Sequence, residues 1–266
     1  MRTVAEVPWK LLAGDLAFPE GPAFAPDGSL WCVELKGGRL ARLCEGRLER
    51  FDVGGAPNGI AIDGEGRVWF CDAEQRSIRR WTEGRCETIC SHIDAERLYK
   101  PNDLCFDGSG NLLFTCPGDS RTEPLGYVCC LRPDASLHKI ATSLYFPNGL
   151  ALVDGGRTLI VAETYRHRLW RGGWDAETCT WSSPTPWAAA GGPIGPDGMA
   201  FHPSGLLYVA VYGQQAVKVF DPGGNLVDAL PTPGLNPTNV AFDPSGRLGL
   251  IVTEAEQGCL WSLQDV

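Results

Sequence analysis

The chain has 266 residues, with 33 Gly, 20 Pro and 9 Trp, only 21% charged residues and a formal net charge of -9. No run of Lys or Arg supplies the basic stripe that a phosphate backbone requires, so nucleic acid is excluded as a partner. No stretch approaches the roughly 20 apolar residues that span a bilayer, and the first ten residues lack the apolar run of a signal peptide, so a cytoplasmic protein without a membrane partner is expected. This composition suits short strands and tight turns better than a helical bundle. All-β folds of this length run as one unit, so residues 1–266 are expected to form a single domain around one large core.

In chain order, residues 4–12 read as a strand with no hairpin partner beside it. Pro19-Glu20-Gly21-Pro22-Ala23-Phe24 then opens a unit that recurs five more times. Its copies are Pro57-Asn58-Gly59-Ile60-Ala61-Ile62, Pro101-Asn102-Asp103-Leu104-Cys105-Phe106, Pro147-Asn148-Gly149-Leu150-Ala151-Leu152, Pro196-Asp197-Gly198-Met199-Ala200-Phe201 and Pro237-Thr238-Asn239-Val240-Ala241-Phe242. Each passes through a polar turn rich in Asp and Gly (27–28, 63–66, 107–110, 154–156, 202–205, 243–246) into a second strand (30–34, 68–72, 112–116, 159–163, 206–211, 248–254). Such turns between apolar alternations mark hairpins. Third strands read at 39–42, 77–81, 127–131, 168–171, 216–220 and 259–263, and fourth strands at 47–51, 86–90 and 226–230.

Intervals of 38 to 49 residues between units are those of propeller blades. The expected fold is an all-β, six-bladed β-propeller with four-stranded antiparallel blades. The sixth unit lacks a fourth strand, so residues 4–12 should complete that blade and close the ring. Two longer connections, 117–125 and 172–196, are candidate loops for lining a site. The eleven cysteines are odd in number and without zinc-type spacing, and they read as reduced, small buried hydrophobes.

First strands of propeller blades line the central tunnel, so the polar residue after each Pro forms a ring: Glu20, Asn58, Asn102, Asn148, Asp197 and Thr238. Two carboxylates in one narrow tunnel repel unless protonated or bridged by a cation. Oxygen donors alone favour Ca²⁺ first, then Mg²⁺ or Mn²⁺, over zinc. Glu34, Asp72, Glu163 and Glu254 end second strands at the same rim, where they either orient ligands or stand as solvated strand ends. His92, His138, His167 and His202 occupy no repeated position and are assigned no chemistry.

At these residues the chain resembles the gluconolactonase and senescence marker protein (regucalcin) family of sugar lactonases. The likeness is carried by Phe18-Pro19-Glu20-Gly21-Pro22, Asp27-Gly28-Ser29-Leu30-Trp31, Pro101-Asn102-Asp103, Phe146-Pro147-Asn148-Gly149, Ala162-Glu163-Thr164 and Pro196-Asp197-Gly198-Met199. It implies one divalent ion held by Glu20, Asn148 and Asp197, with Zn²⁺ and Fe²⁺ also within the range of metals. Asn102 is then a further ligand or a substrate contact. Lys100 stands where family members commonly carry Arg, and it would contact a sugar hydroxyl. The implied reaction opens an aldonolactone, with Asp197 as the base that takes a proton from the attacking water. An organophosphate or aryl ester is the alternative substrate, and a non-catalytic propeller that binds a protein on its rim is the alternative role. A monomer or weak homo-oligomer is expected.

Overall fold

Six repeats of turn-linked alternating strands produce six four-stranded antiparallel sheets in a computed structural model that describes residues 3–264. Blades 1 to 5 span 19–52, 57–90, 104–144, 147–189 and 195–231, each with its strands in sequence order from the axis outward. Blade 6 takes three strands from 237–263 and its outermost one, Lys10–Ala13, from the start of the chain. That strand pairs antiparallel with Cys259–Leu263, so the ring is closed by hydrogen bonds between its two ends. It is shorter than the expected 4–12. Residues 4–6 form a 3₁₀ turn, Val7 packs into the apolar seam between blades 5 and 6, and Trp9 donates its indole N–H to the Pro231 carbonyl at 2.8 Å. Side-chain packing, not strand pairing, holds that segment.

The expected single core is divided. Six apolar clusters lie in the six seams between neighbouring blades, from Trp31, Val33, Phe70 and Val68 between blades 1 and 2 to Leu30, Cys32, Ile251 and Leu260 between blades 6 and 1. Strands buried on both faces supply each seam, and burying a Leu, Val or Phe side chain contributes about 1.5–3 kcal/mol. All eleven cysteines are unpaired, and seven are buried.

Most of the 172–196 segment is strand, and only 176–179 and 190–194 are connections. The third strand of blade 4 runs on to Asp175 and the fourth covers Thr180–Ala189, because Trp174, Cys179 and Trp181 turn inward onto blade 3. Trp174 donates to Asp107 at 3.0 Å across that seam. Residues 117–125 do form a connection without strands, and a small hairpin, His92–Ile93 with Glu96–Arg97, precedes blade 3. No helix among the described residues is long and apolar enough to cross a membrane.

Candidate metal centre

Five of the six first strands change register by one residue just after the opening Pro, as where Pro147 faces Glu163 but Leu150 faces Val161. A bulge of this kind adds local twist and re-aims a side chain. In blade 3 the strand starts only at Leu104, leaving Asn102 and Asp103 ahead of it. The irregularity falls at or just after the ring position every time.

The structure brings Glu20 and Asp197 together in the tunnel, 6% and 8% exposed. Burial raises the pKa of Glu20 well above the usual carboxylate range, and the nearby charges of Asp197 and Asp103 add to the rise. Asp197 is raised by burial and by Asp103, with a hydrogen bond from Asn148 acting the other way. Asn148 also gives its amide N–H to Thr164 Oγ1 at 3.2 Å, and Thr164 in turn donates to the Pro196 carbonyl at 2.7 Å. With its amide nitrogen held on both sides, Asn148 presents Oδ1 as an acceptor that no donor among the described residues reaches. Asn58 is buried and Asn102 half-buried, and neither side chain forms a hydrogen bond among the described residues. Thr238 ties the ring closure, donating to the Pro19 carbonyl at 2.9 Å and meeting Thr253 Oγ1 at 2.7 Å, and its side chain also acts on Glu20, opposing the rise of that carboxyl.

A second layer was not singled out by sequence reasoning. At the position after the ring residue, four blades carry Gly, while blades 3 and 6 carry Asp103 and Asn239. Those blades face each other across the axis, and Asn239 Nδ2 donates to Asp103 Oδ2 at 3.3 Å. A Cβ on Gly59 would sit 2.3 Å from Asp103 Oδ1, and one on Gly198 would sit 1.9 Å from Asn239 Cγ, so both glycines make room for these side chains. Burial pushes Asp103 up to about 7, opposed by hydrogen bonds from the Leu104 N–H and Asn239. The signal was the break in the Gly column, legible in the aligned repeats.

Glu34 and Glu163 are neither ring members nor solvated ends. Glu34 accepts from the Ala17 N–H at 2.8 Å and pairs with Arg39 and Arg50, while Glu163 accepts from the Tyr145 N–H at 2.8 Å and pairs with Arg168. Asp72 and Glu254 likewise take the Ala56 and Asn236 N–H groups at 3.1 and 2.9 Å. Each clamps the backbone that leads into its own blade's first strand. Lys100 lies at the mouth, yet its ammonium is held by both Asp119 oxygens at 2.7 Å.

Over the ring, Phe18 of blade 1 and Tyr212 of blade 5 stack with ring centres 6.5 Å apart, and the phenol of Tyr212 is raised by burial and by the charges of Asp197 and Glu20. Among the described residues no group of three or more His, Cys, Asp or Glu forms a metal cage, so any ion here draws on amide oxygens beside the carboxylates. A cleft of about 740 Å³ opens on the opposite rim, lined by Trp69, Phe106 and Arg132, and no ring side chain reaches it.

The chain as a whole is similar to known proteins. Residues 18–256 match the family model described as the SMP-30/gluconolactonase/LRE-like region. The chain is 29% identical to diisopropyl-fluorophosphatase of Loligo vulgaris, over 90% of this chain and 81% of that one. It is 28% identical to lactonase drp35 of Staphylococcus epidermidis, over 95% and 83%. A gluconolactonase structure from Xanthomonas campestris superposes with a TM-score of 0.87 at 27% identity, covering 98% of this chain and 90% of that one. A shared fold and a family match over the six repeats lead to one assignment: the chain belongs to the SMP-30/gluconolactonase/LRE-like family.

Proposed function

We propose that the protein is a divalent-metal-dependent lactonase acting on sugar lactones. One observation carries the reading: Glu20 and Asp197 share a buried tunnel with amide oxygens and no Lys, Arg or His among the ring residues, an arrangement of charge that a hard cation relieves. The donor set fits such an ion, because Asn148 has its amide nitrogen engaged and its Oδ1, beside Asp197, without a donor among the described residues. Glu20, Asn148 and Asp197 would hold it, with Asn102 within the same ring, and the absence of thiol or imidazole donors favours Ca²⁺. When bound, a divalent cation supplies Lewis-acid polarisation of the ester carbonyl.

The remaining work falls to the chain. Asp197, buried beside Asn148, would take the proton from the attacking water. Asn102 binds a substrate hydroxyl or the ion, and Lys100 reaches a hydroxyl from within its pair with Asp119. Phe18 and Tyr212 narrow the mouth and limit water.

The test is a pH-indicator screen of aldonolactones on protein stripped of metal and reloaded with Ca²⁺, Mn²⁺, Mg²⁺, Zn²⁺ or Fe²⁺, with metal content measured in parallel. Turnover that depends on the ion supports the reading; no turnover with any ion overturns it. A second reading, hydrolysis of an organophosphate, is favoured by the 29% identity to diisopropyl-fluorophosphatase, and phosphotriesters belong in the same screen.

A further inference from the structure

The tunnel mouth is framed by the residues that precede the first-strand prolines. Three of these, Phe18, Lys100 and Phe146, hold left-handed backbone with φ of 63°, 52° and 58°. Such a conformation is costly for a bulky residue before Pro, and it persists where the surroundings impose it. At Phe146 the cause is visible. Its N–H donates to the buried Ser120 hydroxyl at 2.9 Å, and Ser120 donates onward to the Pro117 carbonyl at 2.6 Å. The same anchor fixes loop 117–125 against the mouth, a second tie being Lys100 to Asp119.

The loop delivers Arg121 beside two mouth aromatics. Its guanidinium carbon lies 5.9 Å from the centre of the Phe146 ring and 5.6 Å from that of Tyr165, while those rings meet edge to face at 5.4 Å. On blade 1, opposite the blade 4 that carries those two rings, the Lys36 ammonium lies 4.8 Å from the centre of the Phe18 ring. Both side chains are exposed, and neither pairs with a carboxylate among the described residues. By contrast Arg39, Arg50, Arg79 and Arg168 are each paired with a buried acid. Arg121, Lys36 and Arg166, which neighbours Tyr165, therefore stand exposed at one opening without a carboxylate partner among the described residues, where they are available to a charge that comes from outside.

We infer that the mouth selects lactones bearing an anionic substituent, a carboxylate or a phosphate remote from the ester, with Arg121 as the specificity-determining contact and Lys36 as a second attraction; the inference rests on the lactonase reading. A planar guanidinium fork matches either anion in a bidentate pair, and its stacking on Phe146 and Tyr165 limits the freedom lost on binding. The net charge of -9 repels an anion at long range, so local cations at the opening are what such a substrate needs.

The experiment measures kcat/KM for three aldonolactones that differ only at the terminal carbon: the free hydroxyl, the carboxylate and the phosphate. Wild type, Arg121→Ala, Arg121→Lys and Lys36→Ala are compared, with thermal unfolding as the check on folding. The wild type should prefer a charged lactone, and Arg121→Ala should cut the charged-to-neutral ratio about tenfold, chiefly through KM, with Arg121→Lys in between. Added salt should shrink the preference, and the two charged lactones identify which anion is read. A ratio unmoved by Arg121→Ala, or a wild type that favours the neutral lactone, overturns the inference and leaves the lactonase reading standing. Failure to open any of the three lactones by metal-loaded protein sinks both.

Discussion

Replacing Asp103 by Asn in protein held in chelator should change how stability varies with pH. Burial lifts the Asp103 carboxyl from 3.8 to about 7, so between those values the folded chain keeps a proton that the unfolded chain releases. A carboxyl raised in this sense contributes stability that is complete below pH 3.8 and lost as pH climbs through about 7. The full loss is about 4 kcal/mol, an upper bound that dielectric relaxation reduces. The amide carries no charge and escapes it. It still accepts from the Leu104 N–H but turns an NH₂ toward Asn239 Nδ2, forfeiting one hydrogen bond worth about 1 kcal/mol. Below about pH 4 the variant should therefore be the less stable protein, and by pH 8 it should lead by about 3 kcal/mol. Glu20 and Asp197 add to that lead, because the charge of Asp103 raises both. Urea unfolding followed by Trp fluorescence, from pH 4 to 9 in reductant, measures both curves. A difference between the proteins that does not vary with pH refutes the reasoning.

Asp197→Asn should keep the fold and lose about 10³-fold in turnover, as expected when a general base is removed, and an active variant removes Asp197 from that role. Thr164→Val, which releases the Asn148 amide, should weaken divalent-cation affinity about tenfold by calorimetry, with Thr164→Ser restoring it; equal affinities would show that Asn148 is oriented without Thr164. Glu34→Ala leaves the Ala17 N–H and two arginines without their acid. It should cost about 2 kcal/mol in urea unfolding, less than a fully buried pair because Arg39 and Arg50 are 32% and 33% exposed. A change below about 0.5 kcal/mol, the size of an ordinary surface substitution, would return Glu34 to the role of a solvated strand end.

Blade number, strand count and closure were legible in the chain because each blade repeats one local pattern: Pro, a polar residue, an apolar alternation and an Asp-Gly turn. Periodicity of that kind is a property of neighbours in sequence, and so is the ring position that brings Glu20, Asn148 and Asp197 into one register. Residues 4–9 and 172–196 were misread because their partners lie in other blades: Val7 and Trp9 answer to the seam between blades 5 and 6, and Trp174 to Asp107 of blade 3.

Three matters were decided only by the folded ring. Glu34 and Glu163 became backbone clamps because the N–H groups they receive, from Ala17 and Tyr145, come within reach when the second strand folds back on the first. Asp103 and Asn239, 136 residues apart, meet because blades 3 and 6 stand opposite each other. Arg121 reaches Phe146 and Tyr165 because Ser120 is pinned beneath it. A repeat in sequence tells which residues share a height along the axis. Distances across that axis depend on how six seams pack, and only closure of the ring sets them.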